Sequence, residues 1–228
     1  WRLVFLGHWQ QYQLIIDVLS IVAIASMFIG NFLGLLQKNL LRLMAYSSIA
    51  HFGYLLIALL LINNHTISFS SHSFNAQTML FYLVAYLFTL VGIFSIFIQL
   101  PKIKTLDDLT GLFWYKPFIA ITLMLLMLSL AGIPLTLGFM AKFYLVMAAV
   151  SQQLWLVLTV LVISSIIGLF YYLRVIMAML KVPEDELKFN DINSDSNSRS
   201  LNIIILFLVI GFGVFPSSLS QFIQQITG

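Results

Sequence analysis

Five stretches of this chain, 18–37, 43–101, 118–141, 143–173 and 200–228, contain no Asp, Glu, Lys or Arg. Each is at least as long as the ~20 residues an α-helix needs to cross a hydrocarbon core of roughly 30 Å. Composition agrees: 61% of the 228 residues are apolar and 8% are charged, where a soluble domain carries about 25% charged residues. A water-soluble globule of this size has too little interior to hide so much apolar surface. The runs are continuous and lack the period-two alternation of a membrane barrel, so each is expected to satisfy its own backbone as a helix. The fold class that follows is an all-α polytopic membrane protein, a helix bundle in a lipid bilayer. A soluble enzyme, a nucleic-acid binder and a secreted disulfide scaffold are excluded, the last because Cys is absent.

Polar breaks divide the chain into six spans near 13–36, 42–62, 77–100, 117–149, 153–180 and 200–224, with 181–199 a loop and 1–6 the end of a preceding helix. The chain opens at Trp1 inside an apolar phrase and reads as a fragment that lacks its N-terminal part. Orientation follows from where the cations fall. Lys38 and Arg42, then Lys102, Lys104 and Lys116, then Lys181, Lys188 and Arg199 occupy alternate loops. The loops between hold none, and only Arg2 lies near that side. The Lys-rich side is expected to be cytoplasmic, with the C-terminus outside. In 101–116, Thr105 and Asp108 look like a capping box that opens a short surface helix with Leu106, Leu109 and Phe113 on one face. The 183–200 stretch, with five anions and two cations, reads as a solvated loop, and His65 and His72 as solvated side chains.

Two cations are left inside the spans, Lys142 and Arg174. The 117–149 window would be about 50 Å long as one helix, too long for a straight crossing. Its excess coincides with LSLAGIPLTLGFMAKFY, where Pro134 lacks an N–H and Gly132 and Gly138 loosen the backbone. A discontinuous helix around Pro134 is expected, with Lys142 in its second half. To snorkel outward, the Lys142 head would have to climb roughly 10 Å. An ionised lysine near the bilayer centre costs about 2.5–3.5 kcal/mol, so Lys142 is read as a proton carrier. Arg174 lies close to the Lys-rich end and is read as structural, holding a carbonyl or snorkelling.

The second span places Ser47, His51 and Tyr54 at i, i+4 and i+7, one polar face on an apolar cylinder. Two readings stay open: helix packing through hydrogen bonds, and a hydrated lane in which His51 exchanges protons near neutral pH. Tyr82, Tyr86 and Thr89 repeat the pattern on the third span, and Ser164, Ser165 and Tyr171 on the fifth. Tyrosine hydroxyls in such lanes are more often structural than proton-carrying. No phosphate-binding loop, dinucleotide fingerprint, metal-spaced His pair or nucleophile elbow is present in the sequence.

Taken together, RLMAYSSIAHFGYLL, GLFWYKPFIA, MLSLAGIPLTLGFMAKFY and SSIIGLFYYLRV resemble the antiporter-like membrane subunits of bacterial NADH–quinone oxidoreductase, respiratory complex I. The Mrp-type cation/proton antiporters share that family. The resemblance covers essentially the whole chain. It implies that 13–180 is a five-helix antiporter-like repeat, the second of two inverted copies, followed by a last transmembrane helix at 200–224. By the same resemblance Lys142 matches the lysine of the broken helix, and His51 the histidine of a polar helix, with Ser47, Tyr54 and Tyr86 as candidate members of a polar lane. A lysine on the broken helix and an ending just past the last span favour the subunit N branch. The implied function is proton translocation across a bacterial inner membrane, coupled to electron transfer from NADH to quinone. NADH, FMN, iron–sulfur clusters and quinone would be handled by other subunits and no cofactor by this chain. Its partners would be antiporter-like subunit M and small membrane subunits, with no nucleic acid. The alternative implied by the same family is a subunit of an Mrp-type Na⁺/H⁺ antiporter.

Overall fold

The computed structural model describes residues 9–62, 69–182 and 196–227. The expectations for residues 1–6, for His65 and for 183–195 lie outside them, as does the side chain of His72; the loop expected over 181–199 ends early, because 196–199 already belong to a helix. The described residues form nine α-helices: α1 (Trp9–Leu36), α2 (Leu40–Ile62), α3 (Phe69–Gln99), α4 (Leu112–Tyr115), α5 (Pro117–Ala131), α6 (Leu137–Ser151), α7 (Trp155–Leu180), α8 (Ser196–Val214) and α9 (Pro216–Thr227). Stretches of α1, α2, α3 and α7 are long and apolar enough to cross a membrane. The bundle is apolar outside as well as inside, with Ile21, Phe32, Ile98, Phe170 and Phe207 all more than half exposed. An exterior of this kind is matched to lipid or to further membrane helices rather than to water.

α1 and α2 form a close hairpin because small residues line their crossing. A Cβ on Gly30 would lie 2.7 Å from the backbone of Tyr46 and Ala50. Without a hydrophobic drive between helices in lipid, such backbone approach is a main source of packing energy. The Lys-bearing loops meet at one end of the bundle. There Leu40 N–H donates to the Lys104 carbonyl and Leu106 N–H to that of Lys38, both at 2.9 Å. Trp114 Nε1–H reaches the Leu180 carbonyl. Arg174 sits at the same end and donates to the carbonyls of Leu35 and Gln37, closing the C-terminus of α1. That is the structural role expected of it. At the other end Asn75 and Gln152 both donate to the Leu61 carbonyl, closing α2.

Three elements differ from the sequence expectation. α3 begins eight residues before 77, and within the added turns Asn75 donates to the Leu61 carbonyl at the end of α2. The 101–116 segment holds a 3₁₀ turn at Asp107–Leu109 and the single-turn α4 rather than one surface helix. Thr105 and Asp108 do pair there, Asp108 accepting from the N–H and the hydroxyl of Thr105 at 2.8 Å each, but the N-cap of the 3₁₀ turn is Leu106, with no side-chain cap. The left-handed Gly111 (φ 87°) then resets the helix direction, and Leu106, Leu109 and Leu112 become the buried set. Residues 200–224 are not one straight span: α8 and α9 meet at 90°. Phe215 N–H closes α8 on the Gly211 carbonyl, and Pro216, lacking an N–H, opens α9 at its first position. α9 is amphipathic, with Leu219 and Ile223 buried while Gln221, Gln224 and Gln225 are exposed.

Candidate functional site

The discontinuous helix is where the chain departs furthest from regular structure, and each carbonyl it frees can be accounted for. α5 ends in a Schellman motif on the left-handed Gly132 (φ 84°). Gly132 N–H donates to the Leu128 and Ser129 carbonyls, and Ile133 N–H to that of Leu128, all at 3.0 Å. The two carbonyls still lacking amide partners are those of Leu130 and Ala131, and Pro134 has no N–H to offer. Lys142 Nζ donates to both, at 2.9 and 3.0 Å. The Lys142 head group therefore sits at the negative end of the α5 dipole, which favours its protonated form. Thr136 opens α6, accepting from Phe139 N–H and donating to the Ile133 carbonyl. Between the caps Leu135 adopts φ 73°, a left-handed conformation that costs a leucine roughly 1–2 kcal/mol.

Gly138 is dictated by this crossing. Its N–H donates to the Ser129 hydroxyl, and a Cβ there would fall 1.9 Å from the Ser129 carbonyl oxygen. A Cβ at Gly132 would meet the Lys142 side chain at 2.9 Å. The two glycines let α5 and α6 overlap tightly enough for Lys142, on the second turn of α6, to reach back across the break.

Facing the break is the polar face of α2. Ser47, His51 and Tyr54 are all buried. His51 is held at both ring nitrogens by phenols: Tyr82 Oη lies 2.9 Å from Nδ1 and Tyr172 Oη 3.2 Å from Nε2. Ser47 Oγ shares a hydrogen bond with the same Tyr172 hydroxyl. Tyr86 stacks on the imidazole at 4.6 Å with planes 15° apart. Tyr54 lends its ring to Lys142, whose Nζ stands 5.5 Å from the ring centroid, within cation–π reach. The Tyr54 hydroxyl donates to Ser164 Oγ at 2.9 Å. Ser164 in turn accepts from Asn31, whose amide oxygen accepts from Tyr171 at 2.9 Å.

His51 and Lys142 border one cavity of about 10 Å³, lined also by Tyr82, Tyr86 and Ser129. That is about the space of a single water, given the ~10–15 Å³ one requires. On its other side Lys142 borders a surface groove of about 310 Å³ between the break, α6 and α7. The site thus joins the His51 imidazole to the buried Lys142 amine through room for one water. Among the described residues no group of three or more His, Cys, Asp or Glu could hold a metal ion.

A family-wide sequence profile described as NADH:quinone oxidoreductase/Mrp antiporter, transmembrane, matches residues 1–168. The chain belongs to this family. It is 50% identical over all 228 residues to NADH-quinone oxidoreductase subunit N of Shewanella woodyi (strain ATCC 51908 / MS32), covering 48% of that protein. It is 40% identical over 218 residues, 92% of this chain, to the subunit of the same name in Ectopseudomonas mendocina (strain ymp), covering 42% of it. The chain therefore spans about half the length of these relatives. Among solved structures it resembles a chain of respiratory complex I from Thermus thermophilus with bound aureothin, at TM-score 0.76 and 28% identity, over 90% of this chain and 45% of that one. It also has the fold of a chain in the Mrp complex from Dietzia sp. DQ12-45-1b, at TM-score 0.78 and 18% identity, over 93% of this chain and 46% of that one.

Against this family background, the structure brings Ser47, His51, Tyr54 and Lys142 together as one cluster. Tyr86 joins it through its ring face, while Tyr82 is the residue of α3 that hydrogen-bonds His51. Thr89 donates to the Ala85 carbonyl of its own helix, lines the His51–Lys142 cavity and lies 3.4 Å from the Ser129 hydroxyl. Sequence reasoning did not single out Asn31, Ser129 or Tyr172. Asn31 had a readable signal, as the lone amide between Val18 and Leu36. Tyr172 did not: it sits beside Tyr171 on the same helix, and only the packing angle of α7 separates their roles.

Proposed function

We propose that this chain is the C-terminal part of subunit N of a bacterial NADH–quinone oxidoreductase, and that it moves protons across the inner membrane as quinone is reduced elsewhere in the complex. The observation that carries this reading is the placement of Lys142, whose ammonium is met by the two carbonyls freed at the helix break and shares a one-water cavity with His51. In this mechanism a proton passes from the His51 cluster through that water to Lys142, and from Lys142 toward the outer face. Ser47 and Tyr54 keep His51 and Lys142 in register, and Tyr86 packs the lane. Moving one charge across the membrane costs about 2.3 kcal/mol per 100 mV. A swing of about two pK units at a carrier corresponds to ~2.7 kcal/mol, so side chains whose surroundings change can carry such a step.

NADH, FMN, iron–sulfur clusters and quinone belong to other subunits in this proposal, and the exposed apolar faces meet lipid, antiporter-like subunit M and small membrane subunits. The Lys-rich loops face the cytoplasm and the C-terminus the periplasm. An Mrp-type Na⁺/H⁺ antiporter is the weaker reading, because the relatives at 50% and 40% identity are subunits N, whereas the likeness to the Mrp complex is one of fold. The test is Lys142→Ala in the full-length subunit, with assembly checked on native gels and protons pumped per NADH measured in membrane vesicles. An assembled complex with fewer protons per NADH is expected; an unchanged ratio removes Lys142 from the mechanism.

A further inference from the structure

α8 carries two glycines two residues apart, and their surroundings differ sharply. A Cβ on Gly211 would meet nothing within 4 Å. A Cβ on Gly213 would fall 2.5 Å from the Leu135 carbonyl oxygen and 2.6 and 2.7 Å from Thr136 C and Cα. All three are backbone atoms of the break between α5 and α6, so no side chain could swing aside to make room. The end of α8 therefore abuts the peptide that joins the left-handed Leu135 to the N-cap Thr136. Immediately beyond Gly213 the chain turns through 90° into α9. α9 buries Leu219 and Ile223, with α3 its most extensive partner. α8 cannot back away from the break without lifting α9 off α3.

We propose that Gly213 is a positioning residue for the discontinuous helix: the end of α8, anchored by α9, is a backstop that fixes the Leu135–Thr136 peptide and hence the carbonyl pair that holds Lys142. The physical need is visible in the break itself. A non-glycine residue in a left-handed conformation persists only where its surroundings over-determine it, and the Leu135 side chain is 70% exposed and contributes little of that restraint. Contact with α8 supplies it from the backbone side. Thr136, whose Cα and carbonyl carbon touch Gly213, caps the helix on which Lys142 stands one and a half turns later. This inference rests on the proposed role of Lys142 and adds to it the part of the chain that sets that lysine's geometry.

The test uses the complete complex carrying Gly213→Ala, with Gly211→Ala and Lys142→Ala made in parallel. A misplacement of about 1 Å can cost ~100-fold in the rate of a step that depends on geometry, so Gly213→Ala should lower protons per NADH in the same direction as Lys142→Ala. Gly211→Ala should match the wild type. Lower assembly alone would reduce NADH oxidation and pumping in proportion, whereas a displaced break lowers the ratio between them. Leu135→Gly, added to Gly213→Ala, should restore the ratio, since glycine takes a positive φ freely and lets the break yield. Should Gly213→Ala fail to assemble, Leu219→Ala/Ile223→Ala loosens the anchor without crowding the break and is expected to lower the ratio too. A wild-type ratio in whichever of these two variants assembles, while Lys142→Ala is impaired, overturns the backstop. A wild-type ratio in Lys142→Ala overturns the carrier role and the backstop's link to pumping with it.

Discussion

His51 is the residue at which structure and proton transfer can be separated experimentally. Both its ring nitrogens are used, by Tyr82 and Tyr172, so any replacement that leaves those phenols unpartnered costs about 1–3 kcal/mol for each buried group stranded. Gln can donate and accept as imidazole does but does not titrate. His51→Gln is therefore expected to assemble and keep its thermal midpoint in detergent while pumping fewer protons per NADH. His51→Phe should lose stability and pumping together. If His51→Gln pumps normally, His51 is a packing residue. Tyr172→Phe should behave differently, lowering the midpoint by removing the partner of both Ser47 and His51. Lys142 was legible in the sequence because a charge deep inside an apolar run is costly and has few bland explanations. The hydrogen-bonded clamp around it was not, because Asn31 and Ser164 lie 133 positions apart and Tyr172 and Ser47 125 apart.

At the scale of elements, the break shows what local chemistry discloses and what it hides. Pro134 and the flanking glycines announce an interruption, and the Schellman cap and Thr136 N-cap form where such residues should place them. What the sequence does not reveal is how closely α5 and α6 overlap, since that distance is set by a backbone contact at Gly138. Gly138→Ala is expected to be among the most damaging methyl additions in the chain, because its Cβ would lie 1.9 Å from the Ser129 carbonyl oxygen and would also crowd the Ser129 hydroxyl at 2.9 Å. Overpacking typically costs about 1–3 kcal/mol; here a fixed backbone is the obstacle, so reduced complex on native gels is expected. Gly211→Ala supplies the contrast at the open position on α8. The bend between α8 and α9 was readable in principle from Pro216 and the run PSSLSQFIQQ, which is too polar for a span. Its 90° angle was not, because burial of Leu219 and Ile223 decides it.

For the whole molecule, the decisive asymmetry is that its polar ends are chemically unlike. One end gathers the Lys-bearing loops through backbone hydrogen bonds between Leu40 and Lys104 and between Leu106 and Lys38. At the other end, Asn75 and Gln152 close α2 with uncharged amides. α7, with 26 residues, connects the two over ~39 Å at ~1.5 Å per residue, so labels placed at its two ends report opposite faces of the membrane. The absence of Cys from these 228 residues makes single-cysteine mapping clean. Lys104→Cys and Ser151→Cys are both exposed positions for a charged maleimide that cannot cross lipid. In a full-length subunit freed of other cysteines, Lys104→Cys should label only in inverted vesicles and Ser151→Cys only from the periplasmic side of spheroplasts. The reverse pattern would put the α6 end of the broken helix on the cytoplasmic side. Lys142 would then receive protons rather than release them, because it stands on α6, the half-helix that continues from the break toward Ser151. Orientation is thus not a detail added to the mechanism; it decides the direction in which Lys142 must hand over its proton.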